Sequence, residues 1–154
     1  MKILGIDPGL KCGWSIIDAE TNLVTDSGVE DFSKKRGESN GLVFLRFRKW
    51  LERMVDFAGP RLQLIVYEQA HHRGGYATEL GVGLMTRIQE VAAVHKIHYA
   101  SVHTATLKKW ATGHGHADKE LMMKESVRYL GREPVSDDEA DSVLIAFWGM
   151  EEYS

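Results

Sequence analysis

Apolar positions along the chain alternate between short runs and a helical spacing, and the changes between them mark out the elements. Lys2-Ile-Leu-Gly-Ile-Asp7 is a short apolar run stopped by Pro8-Gly9, since proline donates nothing to a strand ladder and glycine accepts turn geometry. The run predicts a buried strand with Asp7 at its C-terminal end. Gly13 to Asp18 and Leu23 to Phe32 are two more strand candidates, parted by the polar turn Glu20-Thr21-Asn22. The three together suggest an antiparallel meander. From about Asn40 to Phe57 the spacing turns helical, with Phe44, Phe47, Leu51 and Met54 on one face and Arg46, Lys49, Arg53 and Asp56 on the other. Gly59-Pro60 ends that helix.

Leu62 to Tyr67 is too short for a helix and reads as a strand buried on both faces, with Glu68 at its end. A helix from about Thr78 to His95 leads to a third strand of the same buried type, Ile97 to Val102. A short helix from about Thr104 to Trp110 follows, then the Gly-rich loop Gly113-His-Gly-His116 and a helix from about Asp118 to Leu130 capped by Gly131. The last helix opens with Ser136-Asp-Asp-Glu139, which has the form of a capping box, and runs to about Met150. No repeat or linker interrupts this order. It describes an α/β fold, one domain over residues 1–154 with a mixed sheet covered by helices on both faces.

A chain of 154 residues with 44% hydrophobic and 27% charged side chains can bury one sizeable core, which excludes a disordered tail. Its apolar runs, such as Leu64 to Tyr67, Val91 to Val94 and the longer Val143 to Trp148, are far short of the roughly 20 residues of a membrane span. The N-terminal stretch has no signal-peptide pattern, and the single cysteine, Cys12, rules out an internal disulfide framework. A reduced, cytoplasmic protein is expected. The net charge of -3 conceals segregation: residues 33–53 carry seven basic and two acidic side chains, 104–132 six and three, and 133–154 none and seven. Two basic blocks beside an acidic one suit a protein that binds a polyanion and holds divalent cations, although charge alone favours the plainer reading of ordinary solvated helix faces.

The carboxylates sharpen the choice. Asp7 and Glu68 fall at the C-terminal ends of strands that helical crossovers make parallel, so both would stand at one sheet edge about 4.7–4.9 Å apart, where open α/β sheets hold their ligands. Such a pair needs a cation or a raised pKa, although either acid alone could be a strand-end residue tied to a turn. In the last helix Asp138 and Asp141 share one side. On a helical wheel Asp141 lies between Ile145 and Trp148, inside the apolar arc, where a carboxylate is costly unless paired or metal-bound. Capping serves equally well for Asp138, and it accounts for Asp137 and Glu139. Four carboxylates from two strand ends and one helix form an oxygen-only set that suits Mg²⁺ or Mn²⁺ over zinc. Two such ions about 3.5–4 Å apart serve phosphodiester hydrolysis. His114 and His116 form an H-x-H pair with no third histidine or cysteine nearby.

Gly5-Ile6-Asp7-Pro8-Gly9, Tyr67-Glu68-Gln69, the segment Leu107-Lys-Lys-Trp-Ala-Thr-Gly-His-Gly-His-Ala-Asp-Lys-Glu120 and Asp138-Glu-Ala-Asp141-Ser-Val-Leu-Ile-Ala146 together resemble the RuvC family of Holliday-junction resolvases, in the same order and at similar spacing. The resemblance covers nearly the whole chain. It implies an RNase H-like fold with a five-stranded mixed sheet, and a homodimer that grips a four-way DNA junction and nicks two strands symmetrically. It further implies two Mg²⁺ ions per active site, for which Mn²⁺ can substitute, and neither a small-molecule cofactor nor a membrane. By the family pattern Asp7 bridges both metals, Glu68 binds one, and Asp138 and Asp141 complete the site. Lys119 stands near the scissile phosphate and is counted with the catalytic groups, while Lys108 and Lys109 hold the DNA backbone.

Where the family shows an aromatic wedge after Glu68, this chain has Gln69-Ala-His-His-Arg-Gly-Gly-Tyr76. His71, His72, Arg73 and Tyr76 are the candidates to meet DNA there, because such rings stack on bases; the histidines could equally be plain loop residues. The next helix keeps Leu80-Gly81 but lacks the Ala-Arg-Gly of the family's dimer-forming position. The end at Ser154, soon after the last helix, is similar to bacteriophage-encoded members acting in a bacterial cytoplasm. Three alternatives are weighed against a resolvase. They are a related nuclease of forks, flaps or structured RNA, a non-catalytic junction-binding protein, and an actin-like nucleotide-binding protein, for which the duplicated second domain is missing.

Overall fold

The first apolar run is strand β1 (Lys2–Asp7) in a computed structural model that describes residues 1–70 and 75–153 and, at Tyr76, the backbone alone. It continues antiparallel through β2 (Lys11–Asp18) and β3 (Leu23–Asp31), the expected meander. Helix α1 (Asn40–Ala58) crosses to β4 (Leu62–Glu68), and α2 (Gly75–Val94) crosses to β5 (His98–Val102). Helices α3 (Thr104–Thr112), α4 (Lys119–Leu130) and α5 (Asp137–Tyr153) complete the order. The sheet has five strands in the order β3-β2-β1-β4-β5, with β4 parallel to both β1 and β5. The expectations placed on His71, His72, Arg73 and the Tyr76 side chain lie outside the described residues.

Alternation along the strands divides the core between the two faces of the sheet. Leu4, Ile6, Ile16, Ile65 and Tyr67 point to α1 and α2, while Ile3, Ile17, Leu64 and Val66 point to the helices that follow β5. On α1 the buried face is wider than the four expected residues. It takes in Trp50, whose ring meets Phe47 and Phe32, and leaves Phe44 at the margin. Ser39 caps this helix by accepting from the Leu42 N–H, and Gly59 closes it at φ 84°. The expected fully buried character of β5 is not found: His98 and Tyr99 are exposed, because β5 is an edge strand of the sheet.

Helix α5 is buried from Glu139 to Gly149 at every position but Asp141. Two glycines let it lie this close to the sheet. A Cβ on Gly5 would overlap the Ser142 carbonyl, and one on Gly13 would overlap the carbonyl of Asp138. Among the described residues no helix is long and apolar enough to cross a membrane.

Candidate active site

The register of the parallel pair sets the first two carboxylates side by side. Ile6 lies opposite Tyr67, so the strands end together at Asp7 and Glu68. Gly13 on β2 receives the first turn of α5, which carries Asp138, and Asp141 follows three residues later on the same side of the helix. One carboxylate oxygen each from Asp7, Glu68 and Asp141 lies within 4.8 Å of the others. Asp138 stands beside them, near enough to Asp7 for the two carboxyls to influence each other's ionisation. The four candidate acids therefore come together, three as a tight cluster and Asp138 alongside Asp7.

Such crowding is unfavourable for the charged forms. Burial first, and then the charges of Glu68, Asp141 and Asp138, hold Asp7 well above the ordinary aspartate range. Burial and the Glu68 charge push Asp141 up to about 7. Asp138 is raised as well, by burial and by neighbouring Asp137. Half-buried oxygen donors that resist ionising together are a fitting set for a hard divalent cation, whose charge removes the conflict.

The lysines stand around this cluster on the other side of Glu68. Lys108 on α3 and Lys119 at the start of α4 line a cleft with Glu68, Thr104, Asp137 and Asp141. Lys108 is half-buried and its charge opposes the rise at Asp141. Lys119 is largely exposed, with Nζ 3.3 Å from Asp137 Oδ2, where Asp118 caps the helix by accepting from the Leu121 N–H. Lys109 is exposed and does not line this cleft.

Three features escaped the sequence. Thr104 Oγ1 donates to Glu68 Oε1 at 2.7 Å. Its signal is the parallel register, which puts Val102 beside Glu68 and Thr104 two residues further on. Asp137, assigned to helix capping, pairs with Lys119. Glu139 is only partly the capping-box residue expected: its N–H bonds Ser136 Oγ, but its carboxylate is buried and accepts from the Val135 N–H, Ser27 and Arg132.

Residues 3–148 match the family model described as crossover junction endodeoxyribonuclease RuvC. The chain belongs to the RuvC family. The RuvC of Synechococcus sp. (strain CC9311) is 27% identical over 163 residues, covering 97% of this chain and 98% of that protein. The RuvC of Rickettsia rickettsii (strain Sheila Smith) is 29% identical over 153 residues, covering 96% and 95%. Thermus thermophilus RuvC solved in complex with Holliday junction substrate superposes with TM-score 0.81 at 19% identity over 99% of this chain and 96% of that one. The Fowlpox virus resolvase, solved with its substrate Holliday junction DNA, gives TM-score 0.60 at 14% identity over 97% and 99%. At these identities the structural matches establish the fold, the RNase H-like sheet of RuvC. The RuvC family is a metal-dependent family of hydrolases, and Asp7, Glu68 and Asp141 form a cluster able to hold a metal ion.

Proposed function

We propose that this RuvC-family chain is a structure-selective DNA endonuclease that resolves four-way junctions by paired symmetric nicks, with two Mg²⁺ ions at each active site. The observation that carries the reading is the meeting of Asp7, Glu68 and Asp141 oxygens within 4.8 Å at one edge of the sheet, with Asp138 beside Asp7. A divalent cation bound there supplies Lewis-acid activation of water and of the phosphodiester. Asp7, the most crowded acid, would serve both ions, Glu68 would hold one, and Asp138 and Asp141 would complete the set.

The chain's other groups orient and hold. Thr104 fixes one oxygen of Glu68. Lys119, paired with Asp137 on an exposed side chain, exchanges that weak partner for an oxygen of the scissile phosphate. Lys108 and Lys109 hold the backbone, and His71, His72, Arg73 and Tyr76 remain the sequence's candidates for contact with the junction. The whole chain, 1–154, acts as one nuclease domain. Two nicks related by symmetry need two copies of the cluster, and this supports a homodimer on the junction. Bacterial relatives support action on DNA in a bacterial cytoplasm.

The test is cleavage of an end-labelled immobile four-way junction, with and without Mg²⁺, beside linear duplex and the Asp7→Asn variant. Paired symmetric nicks that need Mg²⁺ and vanish in the variant, with junction binding retained, are expected. Tight binding without nicks would replace this reading with a junction-binding protein, and preferential nicking of forks or flaps would change the substrate.

A further inference from the structure

Glu139 lies between two of the site's carboxylates in sequence, yet it faces away from the cluster and is the one carboxylate among the described residues that is wholly buried. Four donors meet it. Arg132 Nη1 reaches Oε1 at 3.1 Å and Nη2 reaches Oε2 at 2.9 Å, a bidentate fork, while Ser27 Oγ donates to Oε2 and the Val135 N–H to Oε1, each at 2.8 Å. Each carboxylate oxygen thus receives two donors, which leaves neither bare in its buried setting. The arrangement reaches β3 because Ser27 sits there, opposite Ser15 of β2, and Ser15 Oγ in turn donates to the Ser142 carbonyl at 2.8 Å. Two paired strand positions thus grip α5 at Glu139 and one turn later at Ser142, and these grips bracket Asp141 and adjoin Asp138.

A buried ion pair contributes little to net stability, since desolvation offsets most of its attraction; its better attested effect is to fix register. A local cap would also need only the helix's own N-terminal amides, whereas this carboxylate is held by a guanidinium outside the helix and a strand hydroxyl 112 residues away. We propose that Arg132 is a positioning residue that acts through Glu139 to seat the first turn of α5 on β3, and so sets Asp138 and Asp141 against Asp7 and Glu68 for cation binding. This rests on the carboxylates being a cation site. Without the guanidinium, the buried carboxylate keeps only neutral donors, and the turn opens to hydrate it, carrying Asp138 with it.

The experiment measures Mn²⁺ binding by electron paramagnetic resonance without DNA, alongside the Mg²⁺ dependence of junction cleavage and thermal unfolding. Arg132→Ala is expected to raise the half-saturating Mn²⁺ concentration about tenfold, and to shift the Mg²⁺ requirement for cleavage in parallel, with metal-free junction affinity unchanged. Arg132→Lys, which keeps the charge but not the fork, should fall between. Ser27→Ala removes one neutral donor, leaves a foldable protein and should weaken Mn²⁺ about twofold, which keeps the test open should Arg132→Ala fail to fold. Lower melting temperature with unchanged Mn²⁺ affinity would overturn the proposal, as would loss of metal-free junction binding in Arg132→Ala, which would make Arg132 a DNA contact. A wild-type protein that binds Mn²⁺ but cuts no junction would instead sink the resolvase reading and leave the Arg132 test standing.

Discussion

Asp141 and Asp7 carry the electrostatic cost of the site, and that cost has a sign that can be measured. Both carboxyls are raised, Asp141 to about 7, so the folded protein holds protons there that the unfolded chain has released. Stability contributed by these groups is full below the ordinary aspartate value, about 4, and is lost as pH rises through about 7. Asp31, lowered to about 2 by its bonds from Ser33, and Glu38, lowered to about 2 by the Arg46 guanidinium, act with the opposite sign at lower pH and do not overlap that window. With chelator present, the melting temperature is expected to fall between pH 5 and 8. Asp141→Asn should flatten the fall, because the asparagine has no proton to lose. Mg²⁺ should raise the melting temperature at pH 8 and hardly at pH 5, since it competes with those protons. Parallel profiles for wild type and variant, measured by calorimetry, would show that the crowding assigned to Asp141 is absent.

At the scale of elements, the site depends on how closely the first turn of α5 approaches β2. Gly13→Ala places a methyl group against the Asp138 carbonyl, a backbone atom that cannot swing aside. Overpacking of this kind costs about 1–3 kcal/mol, and here it displaces a carboxylate as well. Cleavage should drop far more than a lowered melting temperature explains. Gly9→Ala is the control, as its methyl group meets only the Lys11 carbonyl at 3.7 Å and should leave both readouts unchanged. Equal loss in the two variants would mean that the close approach at Gly13 does not matter. The same element shows what the sequence could reveal. Asp7 and Glu68 were legible because each ends an apolar run, and Asp141 because an acid inside an apolar arc has no local explanation. Glu139 was not, because its spacing from Ser136 supplies a sufficient local reason, while its real partners lie on β3 and in the loop before α5. Thr104 was hidden for the same reason: its bond to Glu68 follows from strand register. The exposure of β5 follows from strand order, which no single segment contains.

Across the whole molecule, a chain of net charge -3 binds DNA only if its charge is divided in space. The block 33–53 lies on and before α1, on one face of the sheet, and the block 104–132 lies on α3 and α4, on the other. Part of the first block is spent internally, since Arg46 pairs with Glu38 and Arg48 with Glu90. Lys35, Arg36, Lys49 and Arg53 stay exposed on that face, and Lys109, Lys119, Lys124 and Arg128 on the other. The carboxylate edge lies between the two. If about four phosphates are neutralised, junction affinity should fall about 100-fold between 50 and 200 mM salt, because each contact releases condensed counterions. Lys35→Glu and Lys109→Glu should each reduce the slope of that dependence by about one contact while the protein stays folded. A reduction in only one of them would place the DNA against a single face of the sheet. A flat titration in the wild type would remove the basic blocks from the binding surface, because an acidic protein without local positive fields has nothing else with which to draw a polyanion toward its own carboxylates.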